Sequence, residues 1–89
     1  PLQARLGCYA LTSFVTMALQ SADQSYADRL NTYMDYRRGE DDKIAALYRA
    51  RGIGSDEAKE KTRREALSTA AKLGSPIAVI EQCMGTYGA

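Results

Sequence analysis

Histidine is missing from all 89 residues. That absence removes the commonest general base, the Ser-His and Cys-His nucleophile pairs and the commonest transition-metal ligand, and most enzyme classes fall with it. Cysteine is nearly as scarce. Cys8 and Cys83 alone cannot supply the four ligands of a structural zinc site, and they form no Cys-x-x-Cys redox motif. No catalytic residue, metal or cofactor is expected.

Excess charge of one sign is lacking too, since 12 Lys and Arg face 11 Asp and Glu for a net charge of +1. Without a steering field, nucleic acid and anionic membranes are poor candidate partners. The most basic stretch, Lys59, Lys61, Arg63 and Arg64, is offset by Glu57 and Glu60 at i,i+4 spacing on a helix. It reads as a solvated, self-compensated face.

A long apolar run is also absent. The longest uncharged stretch, residues 6–22, carries Thr12, Ser13, Thr16, Gln20 and Ser21 and is too short and too polar to span a bilayer. Arg5 stands where a lipid-attachment site at Leu6-Gly7-Cys8 would want an apolar residue. No repeat, hairpin signal or alternating strand pattern is present, and Pro76 is the one internal proline.

What is present is helical patterning cut by glycines. The spacing predicts an all-α, single-domain bundle of four to five short helices over residues 1–89, frayed at about 1–3 and 86–89. A first helix over 4–20, apolar nearly all round, is expected at the centre, with Leu6, Ala10, Phe14, Met17 and Ala18 on one face. Ser21-Ala22-Asp23-Gln24 has the form of a capping box before a second helix over 22–38, whose core stripe is Ala27, Leu30 and Met34.

Gly39 is expected to end that helix, and Glu40, Asp41 and Asp42 to favour the start of a third over 41–51, with Ile44, Leu47 and Tyr48 inward. Ser55 caps a fourth over 56–73, whose inner side of Ala58, Thr62, Ala66, Leu67, Ala70 and Leu73 invites close approach by a neighbour. Gly74-Ser75-Pro76 ends it and starts a fifth over 76–84, carrying Ile77, Ile80, Cys83 and Met84.

One cysteine lies near the start of the first helix and the other near the end of the last. A Cys8–Cys83 disulfide would therefore link the chain ends, and a loop of that size stabilises a fold by roughly 4 to 5 kcal/mol in the chain-entropy model. It would imply an oxidising compartment, periplasmic or secreted, and a start at Pro1 is compatible with a removed signal peptide. The competing reading is a pair of separate, reduced, buried thiols in a cytoplasmic regulatory or adaptor bundle.

Tyr26, Arg29, Tyr33, Tyr36 and Arg37 fall at spacings that line one stripe beside the expected core. Tyr and Arg are enriched at binding hot spots, so this stripe is the candidate protein-binding or self-association surface. Its bland alternative is a set of boundary tyrosines with rings inward and hydroxyls in water. The expected function is a non-enzymatic exported protein-binding module, of inhibitor, immunity-type or accessory character, whose partner is another protein or a second copy. A carboxylate-dependent hydrolase using Glu40 and Asp42 is the remaining enzymatic alternative.

Overall fold

In a computed structural model that describes residues 2–20 and 27–88, the chain forms four helices and, among those residues, no strand. The first, α1 (Leu2–Leu19), buries residues on several sides: Leu2, Leu6, Cys8, Ala10, Leu11, Val15 and two threonines. The threonines are compatible with burial because each hydroxyl donates to a carbonyl of its own helix, Thr12 to Cys8 at 2.7 Å and Thr16 to Ser13 at 2.9 Å. A helix buried this way must be surrounded. Each of the other three helices packs on α1, and they meet one another little.

The second helix, α2 (Ala27–Ala50), runs unbroken through Gly39 and the acidic triplet. This corrects the expected break: the predicted second and third helices are one, and Glu40, Asp41 and Asp42 lie in mid-helix instead of at an N-terminus. Glycine inside a helix costs about 1 kcal/mol relative to alanine. The inward residues Tyr33, Tyr36, Glu40, Ile44 and Tyr48, at spacings of 3, 4, 4 and 4, keep one continuous face on α1 and outweigh that cost. The capping box at 21–24 lies outside the described residues.

That inward face also corrects the expected core stripe. Leu30 and Met34 are only half-buried, whereas Tyr33 is 1% exposed and Tyr36 is buried. At both positions the tyrosine ring fills the core, and at Tyr33 the hydroxyl also reaches a polar partner at the edge.

The third helix, α3 (Asp56–Ala71), begins at Ser55, whose hydroxyl accepts from the Ala58 amide at 3.1 Å. Its small residues do bring a neighbour close, and the neighbour is α1 at Gly7. A methyl group at Gly7 would lie 2.9 Å from the Ala66 carbonyl oxygen and 3.2 Å from the Ala70 methyl. The fourth helix, α4 (Pro76–Tyr87), follows a sharp joint at Gly74, whose φ of +154° suits only glycine.

Cys83 on α4 is disulfide-bonded to Cys8 on α1, 75 residues away in sequence, with the two Cα atoms 5.8 Å apart. The staple joins the ends of an all-α bundle. Near the two ends, Leu2 is buried and α4 extends to Tyr87, whose ring lies under the Arg5 guanidinium at 4.9 Å.

Two apolar clusters result. One gathers Leu11, Val15, Tyr33, Tyr36, Ala70, Val79 and Ile80 around the disulfide, and the other joins Leu2, Leu6, Ile44, Tyr48 and Ala66. Phe14 and Met17, expected inward, are 62% and 72% exposed, because among the described residues no helix packs on the face of α1 that they occupy. Among the described residues, no helix is long and apolar enough to cross a membrane.

Candidate functional site

Close packing of α1 on α3, with α4 held apart from α3, opens a groove of about 470 Å3 bounded by these three helices. Its base is made of small groups, Ala4, Gly7, Ala66 and Ala70, because that is where the α1 backbone comes nearest α3. Val79 and the disulfide line the α4 side, and Leu73 lines the α3 side. Leu73 was expected to pack inward. It is instead 71% exposed, since α3 ends at Ala71 and the chain is already turning toward Gly74.

Among the described residues, no charged side chain lines this groove. Gln3, Gln82, Thr69, Thr86 and Tyr87 supply amide and hydroxyl groups, and most of the remaining lining is apolar contact surface. The volume falls in the range of clefts that bury a ligand or a few partner side chains. Ile77, in the first turn of α4, adds a further exposed apolar side chain near the joint.

The predicted Tyr/Arg stripe is divided by the fold. Tyr26 lies outside the described residues. Arg29 is on the surface, ion-paired with Glu81 of α4 and 5.2 Å from the centre of the Tyr33 ring. Tyr33 is in the core, donating its hydroxyl to Glu81 at 3.0 Å. Tyr36 is in the core too, with its hydroxyl buried and without a hydrogen-bond partner among the described residues.

Burial, with Glu40 close by, pushes that hydroxyl well above the usual tyrosine pKa. Arg37 is half-buried, and its Nε has no partner among the described residues. The stripe therefore lies on the core face and not beside it, and its two central rings are not presented to a partner.

The carboxylates proposed for hydrolytic chemistry are also separated. Glu40 is 1% exposed and accepts two hydrogen bonds from Arg5, at 2.8 and 2.9 Å, with Lys43 Nζ at 3.7 Å. That bidentate hydrogen bonding raises the Arg5 pKa further. Asp42 is exposed, and two residues along one helix place it away from Glu40. Asp41 instead accepts from the Tyr9 hydroxyl at 2.5 Å, and burial followed by this hydrogen bond pushes Tyr9 up to about 12.

A second cleft, of about 450 Å3, lies between α2 and α3 and is lined by Tyr9, Asp41, Tyr48, Lys59, Glu60 and Arg63 among others. Several of its charges are already engaged. Glu60 takes Arg63 at 2.9 Å and Arg64 at 3.4 Å, while the Lys59 ammonium sits 5.9 Å from the centre of the Tyr48 ring. Of the two expected i,i+4 pairs, Glu60 with Arg64 is present, whereas Glu57 and Lys61 form no ion pair among the described residues.

Compared with protein-family models, with curated proteins and with solved structures, the chain finds no match in any of the three. The apolar groove escaped the reading of the sequence because its key residue, Gly7, sits inside a helix where no turn draws attention to it. The available signal was the small-residue face of Ala58, Thr62, Ala66 and Ala70, which requires an equally small counterpart somewhere in the chain.

Proposed function

We propose that the chain is a non-enzymatic protein-binding module of an oxidising compartment, periplasmic or secreted, that receives an apolar helix face of a partner protein in the groove between α3 and α4. The carrying observation is the uncharged lining of that groove, with the exposed Leu73 at its edge. Large apolar side chains left in water beside a concave apolar surface are the usual signature of an interaction site. A partner helix contributing side chains at i, i+4 and i+7 would cover Leu73 and hydrogen-bond to the flanking glutamines and threonines.

The disulfide supports the compartment, because such bonds persist where thiols are not kept reduced. An inhibitor, an immunity-type protein and an accessory subunit are the roles this arrangement suits. In each of them a small stapled scaffold presents one rigid surface.

The test is site-specific photo-crosslinking in the compartment where the protein resides, with the reactive group at Leu73 and, as control, at Asn31 on the exposed side of α2. A discrete adduct with one other protein at Leu73 and none at Asn31 is expected. Equal labelling at both positions, or an adduct with a second copy of the chain, would overturn the proposal.

A further inference from the structure

We infer that the Cys8–Cys83 disulfide is a latch on α4, so that the groove exists only while the bond is intact. The inference rests on the groove being the docking site for its functional meaning, but not for its structural content. α4 has 12 residues, short enough that the isolated helix is marginal in water. It meets α3 only briefly and packs mainly on α1, burying Val79, Ile80 and Cys83, with Met84 and Tyr87 partly buried against the same cluster. The remaining holds are the surface pair of Glu81 with Arg29, the Tyr33 hydroxyl on Glu81, and the Tyr87 ring under Arg5.

At its other end α4 is attached through Leu73, Gly74 and Ser75, all exposed, with Gly74 in a conformation that other residues adopt only under strain. This is a joint held by little besides its own covalent chain. The two apolar clusters differ in what they would lose. The cluster around the disulfide takes Val79, Ile80 and Cys83 from α4, whereas the cluster of Leu2, Leu6, Ile44, Tyr48 and Ala66 contains no α4 residue. Opening at α4 can therefore leave the second cluster and the α1–α3 packing at Gly7 in place.

The chemistry is ordinary thiol–disulfide exchange with a dithiol reductant. One thiolate of the reductant attacks a sulfur of the bond, its second thiolate resolves the mixed disulfide, and the products are two protein thiols and one oxidised reductant. Two electrons and two protons pass to the protein. Both cysteines line the groove, so a partner seated there covers the bond and slows its reduction.

Hydrogen exchange of the full chain, oxidised and then held in excess dithiothreitol, tests the latch without any partner. The amides of 76–87 should exchange at least about 100-fold faster after reduction, a factor at least about tenfold greater than that for the amides around Leu6, Ile44 and Ala66. The Cys8→Ser, Cys83→Ser double variant, measured without reductant, should reproduce the reduced pattern.

Unchanged protection of α4 would overturn the inference, and so would simultaneous loss of protection throughout the chain, which would make the bond a global staple. Failure of crosslinking at Leu73 together with selective release of α4 would remove the docking site and leave the latch standing.

Discussion

The two longest seams of this molecule share one helix and are built on opposite principles. Where α1 meets α2, large side chains with polar tips reach across: Arg5 to Glu40, Tyr9 to Asp41, and Tyr33, Tyr36 and Tyr48 into the core. Where α1 meets α3, the contact is made by a glycine and two alanines. The first seam is fixed by directional bonds and tolerates separation of the backbones. The second is fixed by steric contact and permits none. A groove opens beside the second seam because small residues that draw two backbones together leave little side-chain volume to fill the space next to them.

The largest expected effect breaks the first seam. Arg5→Ala leaves Glu40 buried with only Lys43 nearby, and should lower stability by about 3 kcal/mol in urea denaturation, the low end for an orphaned buried charge because Arg5 itself is partly exposed. Replacing both partners, Arg5→Met with Glu40→Leu, should recover stability to within about 1 kcal/mol of the parent. A loss below about 1 kcal/mol for Arg5→Ala alone would show that this seam is held by its aromatic rings and not by the ion pair.

The next effect strikes the second seam. Gly7→Ala should cost about 2 kcal/mol, since the new methyl meets a backbone carbonyl that cannot step aside. Thermal unfolding of the disulfide-intact protein reads this directly, and an unchanged midpoint would mean that α1 and α3 can part without penalty. The smallest effect has the opposite sign. Gly39 lies in mid-helix on α2 with nothing near the position of an added methyl, so Gly39→Ala should raise stability by about 1 kcal/mol by the same assay. A destabilised Gly39→Ala would erase the contrast between the two glycines.

That contrast explains what was legible in the sequence. The helical class, the central α1, the close-packing face of α3, the Ser55 cap and the pairing of Cys8 with Cys83 follow from local signals and from arithmetic on a chain with two cysteines. The break at Gly39 did not occur, because a glycine followed by three acids resembles a helix boundary when only local preference is read. The inward run from Tyr33 to Tyr48 decides otherwise, and its members include Glu40, which no count of apolar residues assigns to a core.

The burial of the central tyrosines on α2 was misjudged for the same reason. Tyr33 and Tyr36 look like surface residues until their ends are given partners or sealed in, and that requires knowing which charges α1 and α4 bring to them. Phe14, Met17 and Leu73 present the converse case. They look like core residues until the number of available neighbours is known.

The arrangement of three helices that each lean on α1 and scarcely on one another has a consequence for biosynthesis. Of the four described helices α1 is made before the others but has nothing to bury against until they follow, and those three meet one another too little to condense readily without it. The bond from Cys8 closes only when Cys83, near the far end of the described chain, has been made. Assembly of the bundle therefore waits on α4: the apolar α1 must stay unaggregated until α4 has been made, which makes the rate at which the other three helices reach it, more than the final stability, the quantity that limits recovery of the native bundle.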